Sequence, residues 1–192
     1  ITISKEQFAY VQALAKKHGL QDKIEIKLDD YRKIQGQYDK IISIEMIEAV
    51  GDKFLPVYFS QLHHLLKPEG VVGLQMIMSP DHRYESFRDN VDWIQKHIFP
   101  GSLLPSMKAI HDASYATGNL NIFDYEDITF SYVRTLKIWR DVFNAEAHHV
   151  KAQGFDETFI RKWNYYLSYC EAAFAMRNIA AVQAVFTRPN NY

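Results

Sequence analysis

Two carboxylates three residues apart, Glu45 and Glu48, directly follow the most apolar short run of the chain, Ile41-Ile42-Ser43-Ile44. At the start of a helix such a pair is an ordinary partner of the helix dipole. In an apolar cleft a carboxylate needs a partner and can orient an acid–base group. For Glu48 both readings stand on spacing alone. Asp30 ends the alternating run Ile24-Glu25-Ile26-Lys27-Leu28, and Gln7 follows the apolar start Ile1-Thr2-Ile3. Ligands of open α/β sheets sit beyond the carboxyl ends of strands, so Asp30 is placed to accept from an adenine amino group and Gln7 to reach ribose hydroxyls. Equally, Asp29-Asp30 punctuates a turn and Gln7 caps a helix. The pairs His63-His64 and His148-His149 are adjacent, so on a helix they diverge by about 100° and miss the i, i+4 spacing of a zinc chelate. No metal is expected. Cys170 lies in an aromatic helix with no histidine near it in sequence, which reads as a buried structural thiol. No phosphate-cradling glycine loop, nucleophile elbow or CxxC occurs.

The elements that must hold these residues follow from periodicity. Ser4 caps a helix carrying Phe8, Val11, Leu14 and Ala15, closed by Gly19. Strands are expected at Ile24–Leu28, at Asp39–Glu45 (as a buried strand) and at Val71–Met78, with an amphipathic helix over Gly51–Leu66. From Ser79 to Pro105 the chain is polar, aromatic and broken by prolines, an irregular insertion with one short helix near Asn90–His97. Beyond it come a helix at Ser106–Ala116, a strand at Leu120–Tyr125, long helices at Thr129–Gln153 and Asp156–Met176, and a last strand at Ile179–Thr187. Helix and strand alternate over short connections, so the fold class is α/β with a parallel sheet in a single domain over residues 1–192. With 12 Tyr, 12 Phe and 3 Trp, many of them in the last two helices, the aromatics either pack a core or line an apolar channel of the kind an acyl chain requires.

Bulk properties narrow the partners. A net charge of −1 leaves no basic excess for a phosphate backbone, so nucleic acid is not expected. A local basic patch can still meet a membrane surface. One cysteine excludes an internal disulfide and fits a reducing cytoplasm. No apolar run approaches the length of a transmembrane helix, and no signal pattern opens the chain. The chain begins in strand chemistry without a Met, which reads as a boundary cut within a fold.

Five blocks then fall in order: Ser43-Ile44-Glu45-Met46-Ile47-Glu48-Ala49-Val50-Gly51, Leu66-Lys67-Pro68-Glu69-Gly70, Ile98-Phe99-Pro100-Gly101-Ser102-Leu103-Leu104-Pro105-Ser106, Tyr132-Val133-Arg134-Thr135-Leu136-x-x-Trp139, and Trp163-Asn164-Tyr165-Tyr166-Leu167-Ser168-Tyr169-Cys170. Together they resemble the cyclopropane-fatty-acid and mycolic-acid cyclopropane synthase family over about Thr2 to Arg188. The Leu-Lys-Pro-x-Gly turn is common to many methyltransferases; the Ile-Phe-Pro-Gly and Tyr-x-x-Thr-Leu-x-x-Trp blocks are specific.

The resemblance implies a class I methyltransferase (Rossmann-like) sheet with helical and aromatic insertions, whose last strand runs antiparallel beside the fifth. It implies S-adenosylmethionine as cofactor, with Thr2, Ile3 and Gln7 near its ribose and methionine portions, Asp30 at the adenine, and Ser43-Ile44 under the sulfonium. It implies addition of a methylene group to a cis double bond of a phospholipid acyl chain at the cytoplasmic membrane face, with a bicarbonate ion held by Glu48, Tyr132, Gln75 and the Ile77 backbone taking part in the deprotonation. Many members carry His where this chain has Ala49 and Gln75, and Gln75 cannot take a proton at neutral pH. A relative that only adds a methyl, to another lipid or a small molecule, fits that departure. The resemblance also places a first strand and glycine-rich loop upstream of Thr2. The 192 residues by themselves are therefore expected to be N-terminally truncated, to bind cofactor weakly, and either to be disordered near the N-terminus or to pair an exposed sheet edge with a second copy as a homodimer.

Overall fold

The computed structural model describes residues 1–118, 120–189 and 191. Its centre is a four-stranded sheet of β1 (Tyr38–Ile44), β2 (Leu66–Met78), β3 (Asn121–Asp127) and β4 (Ala180–Thr187), ordered β1-β2-β4-β3. β1 and β2 are parallel, β4 runs antiparallel between β2 and β3. The α/β class and the antiparallel last strand are thus as expected, although only one strand pair is parallel.

Burial alternates along β2 with period two, and its two faces meet different layers. Val72, Leu74, Met76 and Met78 join Val182, Ala184 and Phe186 of β4 against α2 (Leu55–Leu65) and α5 (Met107–Thr117), forming the main core. The opposite face brings Ile77 and Ala181 against α6 (Thr129–Ala145) and α8 (Glu157–Ala175), where Leu136, Leu167 and Phe174 are buried. Ser106 and Asp156 cap α5 and α8 by accepting the amide protons of Ala109 and Phe159 at 3.3 and 2.8 Å.

Several expectations change. Ile24–Leu28 alternates but forms no strand, only an isolated bridge from Thr2 to Leu28, because Thr2 is the one segment there to pair with it among the described residues. β1 is apolar in sequence yet forms an edge of the sheet, and Ile42 and Ile44 stay 69% and 61% exposed. Gly51 does not start a helix: with φ +79 it leads into a 3₁₀ turn at Asp52–Phe54, and α2 begins only at Leu55 with Pro56 in its first turn. The stretch read as an irregular insertion holds two helices, α3 (Asp81–Asp89) and α4 (Trp93–His97), the latter closed by a capping box between Asp92 and Gln95. The long helix expected over Thr129–Gln153 breaks at Glu146 into α6 and α7 (Ala147–Ala152). At the N-terminus, α1 (Lys5–Lys17) is capped by Ser4. Gln7 does not complete a capping box, because its side-chain oxygen accepts from the Thr2 hydroxyl at 2.7 Å instead.

The end of β4 is latched to α2. Arg188 donates through one Nη to the backbone oxygens of His63 and Leu66, at 2.6 and 2.8 Å, and touches the His63 ring with the other. Burial, then the neighbouring guanidinium, hold His63 below its usual range, so it stays neutral and accepts. The His63 oxygen is one of the carbonyls a helix C-terminus leaves unpaired. Arg188→Ala is expected to lower unfolding stability by about 1.5–3 kcal/mol in urea denaturation, and Arg188→Lys to recover only part, since an ammonium lacks the fork that spans both carbonyls.

Candidate active site

Glu48 sits in a 3₁₀ turn (Ile47–Ala49) just past the carboxyl end of β1. Its Oε1 accepts from the Ile77 amide of β2 at 2.5 Å, while Oε2 is buried without a partner among the described residues. Burial raises its carboxyl above the usual range, only partly opposed by the hydrogen bond from Ile77. The Ile-Phe-Pro-Gly-Ser-Leu-Leu-Pro segment is the roof. Leu103 donates to the Glu48 backbone oxygen at 2.8 Å, Gln95 to the Ser102 oxygen at 2.8 Å, and the Ser79 amide to the Pro105 oxygen at 2.9 Å. Gly101 turns that segment with φ +81, a conformation other residues rarely adopt.

Beside Glu48 runs a polar chain across the sheet. Gln183 of β4 lies opposite Gln75 of β2 and donates to its Oε1 at 2.8 Å. The Gln75 amide nitrogen therefore points the other way, donating to the Tyr132 hydroxyl at 2.9 Å and to Glu45 Oε1 at 3.0 Å. Because the Tyr132 oxygen accepts there, its proton is free for a further acceptor. Its ring packs on Phe174 at 5.1 Å. Glu45 itself takes a left-handed backbone (φ 50), anchored by its amide to the Gln75 oxygen at 2.8 Å. Gln183 had no signal in the sequence. Its role depends on strand register.

Glu45, Glu48, Ala49 and the Ile77 region open into a cavity of about 660 Å³ whose walls are mainly apolar, among them Ile94, Ile98, Phe99, Leu103, Tyr166 and Phe174. The aromatics divide between the cavity wall and the second core, and Tyr166 and Phe174 belong to both. Tyr166, Tyr169 and Phe174 line the cavity; Phe143 and Trp163 pack in the second core, and Trp139 is 54% exposed. Cys170 is half-buried on the cavity wall rather than in a closed core, and burial pushes its thiol up to about 12, away from reactivity.

The six residues read as a nucleotide-like site fall in two groups, Thr2, Ile3, Gln7 and Asp30 ahead of β1 in the chain, and Ser43 and Ile44 within it. Asp29 donates its amide to the Thr2 oxygen at 3.0 Å, which brings Thr2 and Ile3 beside Asp30. Asp30 caps the turn Tyr31–Lys33 and pairs with Arg32 at 2.5 Å, which holds its carboxyl down at about 2. The Tyr31 ring meets Tyr58 edge-on at 5.7 Å, and Tyr58 donates to Ser43 at 2.8 Å, so the Asp30 turn and the Ser43 strand are joined through two aromatics. Ile3 and Ile44 are 82% and 61% exposed.

Adjacent histidines do not diverge everywhere. Within α7 the rings of His148 and His149 approach to 3.9 Å, and with Glu146 their ligand atoms lie within 4.8 Å on the exposed surface, away from the cavity. No helix among the described residues is long and apolar enough to cross a membrane.

A family model for mycolic acid cyclopropane synthetase matches residues 1–184. The chain is 42% identical over 174 residues to the tuberculostearic acid methyltransferase UfaA1 of Mycobacterium tuberculosis, covering 91% of this chain and 41% of that protein. It is 36% identical over 189 residues to the cyclopropane-fatty-acyl-phospholipid synthase of Escherichia coli, covering 98% of this chain and 46% of that one. The chain thus spans less than half the length of these two relatives. Among solved structures, the mycolic acid cyclopropane synthase CmaA1 complexed with SAH and CTAB superposes with a TM-score of 0.83 at 25% identity, over 97% of this chain and 68% of that one. The fold is that of the class I S-adenosylmethionine-dependent methyltransferases, and the chain belongs to the mycolic acid cyclopropane synthetase family.

Proposed function

We propose that this chain forms the acyl-binding and proton-handling part of an S-adenosylmethionine-dependent enzyme that adds a one-carbon unit to the cis double bond of an unsaturated phospholipid acyl chain. The observation that carries the reading is Glu48, a carboxylate with one buried oxygen unpaired on the wall of a mainly apolar cavity. Such an oxygen is held in place for a ligand that donates to it. A bicarbonate ion suits the donor set, since its hydroxyl could donate to Glu48 Oε2 and Tyr132, linked through Gln75 to Glu45, has a hydroxyl proton to offer it. The Ile77 amide is engaged by Glu48 and positions that carboxylate rather than the ion. The apolar walls would keep water from a cation formed on the acyl chain, and Glu48 and Tyr132 would hold an anion able to accept the proton whose loss closes the ring.

The β1 side suits the cofactor in its donor set. Ile3 and Ile44 offer apolar contact, Ser43 the strand floor, and Gln7, whose oxygen is occupied by Thr2, an amide N–H pair with no acceptor among the described residues, while both Asp30 oxygens already accept from Arg32. S-adenosylmethionine would supply an electrophilic methyl group there. The same proposal places the protein at a membrane surface, where its substrate lies, as a homodimer.

The test is incubation of the full-length protein with unsaturated phospholipid and methyl-labelled S-adenosylmethionine, followed by mass and NMR analysis of the released acyl chains. A gain of one CH₂ with cyclopropane ring protons is the expected result; an unlabelled acyl fraction overturns the acyl reading. A second outcome, label without a ring, has support of its own. Gln75 cannot carry a proton, and the relative at 42% identity is by name a methyltransferase.

A further inference from the structure

The cavity contains a cation that the proposed chemistry does not use. Arg83, on α3, is the one basic side chain lining it among the described residues, against the carboxylates of Glu45, Glu48 and Asp92. It makes no ion pair among those residues. One Nη donates to Asn178 Oδ1 at 3.0 Å, and its guanidinium carbon lies 5.0 Å from the centre of the Phe87 ring. Asn178 is fixed in turn, its amide donating to the Ala173 oxygen at 2.9 Å. With its side-chain oxygen engaged by Arg83, the NH₂ group of Asn178 has no acceptor among the described residues. Tyr169, stacked on Tyr165 at 5.9 Å, also lines the cavity and has an unpartnered hydroxyl. Burial, then the Asp92 charge, push its phenol up, and Arg83 pulls it back; Asp92 and Arg83 line the same cavity as this ring. Asp92 already accepts from the Gln95 amide at 2.8 Å as the cap of α4.

We infer that Arg83, Asn178 and Tyr169 form a subsite for the anionic end of an amphiphile whose apolar chain fills the cavity. This rests on the acyl reading above and deepens it. Arg83 is half-buried and makes no ion pair among the described residues, and a planar guanidinium fork matches the oxygens of a phosphate or a carboxylate. Two further donors face the same space, and an oxyanion can accept from all three. The anion is a phosphate if the substrate is a phospholipid, or a carboxylate if it is a free fatty acid.

Three probes of equal chain length separate these cases: oleyl phosphate, oleate and oleyl alcohol, each titrated calorimetrically below its aggregation concentration. The protein is expected to bind at least one anion about tenfold or more tighter than the alcohol. Phosphate tighter than oleate assigns the site to a lipid headgroup; oleate equal or tighter assigns it to a free acid. In Arg83→Gln the preference over the alcohol should fall below about twofold while alcohol binding persists, and Arg83→Lys should keep part of it. Tyr169→Phe, which keeps the ring, should lower the preference about threefold and guards against a folding defect in the arginine variants. Equal binding of all three probes, or a preference that survives Arg83→Gln, overturns the subsite and leaves the acyl cavity standing. Binding of none of them overturns both.

Discussion

Glu48→Gln is expected to lower turnover on an unsaturated acyl substrate by about 10²–10⁴-fold while changing S-adenosylmethionine affinity by less than about twofold. The amide oxygen can still accept from Ile77, so the turn at Ile47–Ala49 keeps its anchor. What is lost is the negatively charged acceptor at Oε2, the atom buried without a partner. Tyr132→Phe should follow with a loss of about 10²–10³-fold, its ring still packed on Phe174. Single-turnover rates measured beside calorimetric cofactor titration separate the two effects. Equal losses in rate and affinity would assign both residues to the scaffold instead. The same variant has a stability signature. Burial raises the Glu48 carboxyl above its ordinary 4.5. An acid raised in the folded state contributes stability that is present below its unfolded value and lost as pH rises through the folded one. Wild type should therefore lose more melting temperature between pH 4 and pH 8 than Glu48→Gln, which has no carboxylate to bury.

Phe59→Ala is expected to cost about 3–5 kcal/mol, a large share of the roughly 5–15 kcal/mol that holds an average domain together. Phe59 is fully buried at the centre of the main core. It meets Tyr58 edge-on at 5.5 Å and Phe186 of β4 at 5.8 Å, so it joins α2 to the strand that completes the sheet. Tyr58 beside it reaches Ser43, so loosening this contact should also weaken cofactor binding along β1. Urea denaturation followed by tryptophan fluorescence measures the change. Phe130→Ala is the control: this ring is 62% exposed and its loss should cost under about 0.5 kcal/mol. Similar costs at both positions would mean that the core is not centred on α2.

The sequence by itself determined most of the helices, the carboxylate at the end of the apolar strand and the ordered blocks that mark the family. These are local properties. A cap, a turn glycine such as Gly101 or a period of 3.6 acts over a few neighbouring residues, and each is written in those residues. Apolar runs were less decisive. Ile41-Ile42-Ser43-Ile44 made a strand as expected, but whether a strand is central or at an edge depends on which segments pair with it, and here β1 has one neighbour. The alternation at Ile24–Leu28 likewise found only Thr2. Tertiary structure alone decided the polar chain and the cavity's cation. Gln75 and Gln183 are 108 positions apart and face each other because β2 and β4 pair in one antiparallel register. A slip of one residue would turn Gln183 to the opposite face of the sheet, so the orientation of the Gln75 amide, and with it the free proton of Tyr132, follows from the packing of the whole sheet.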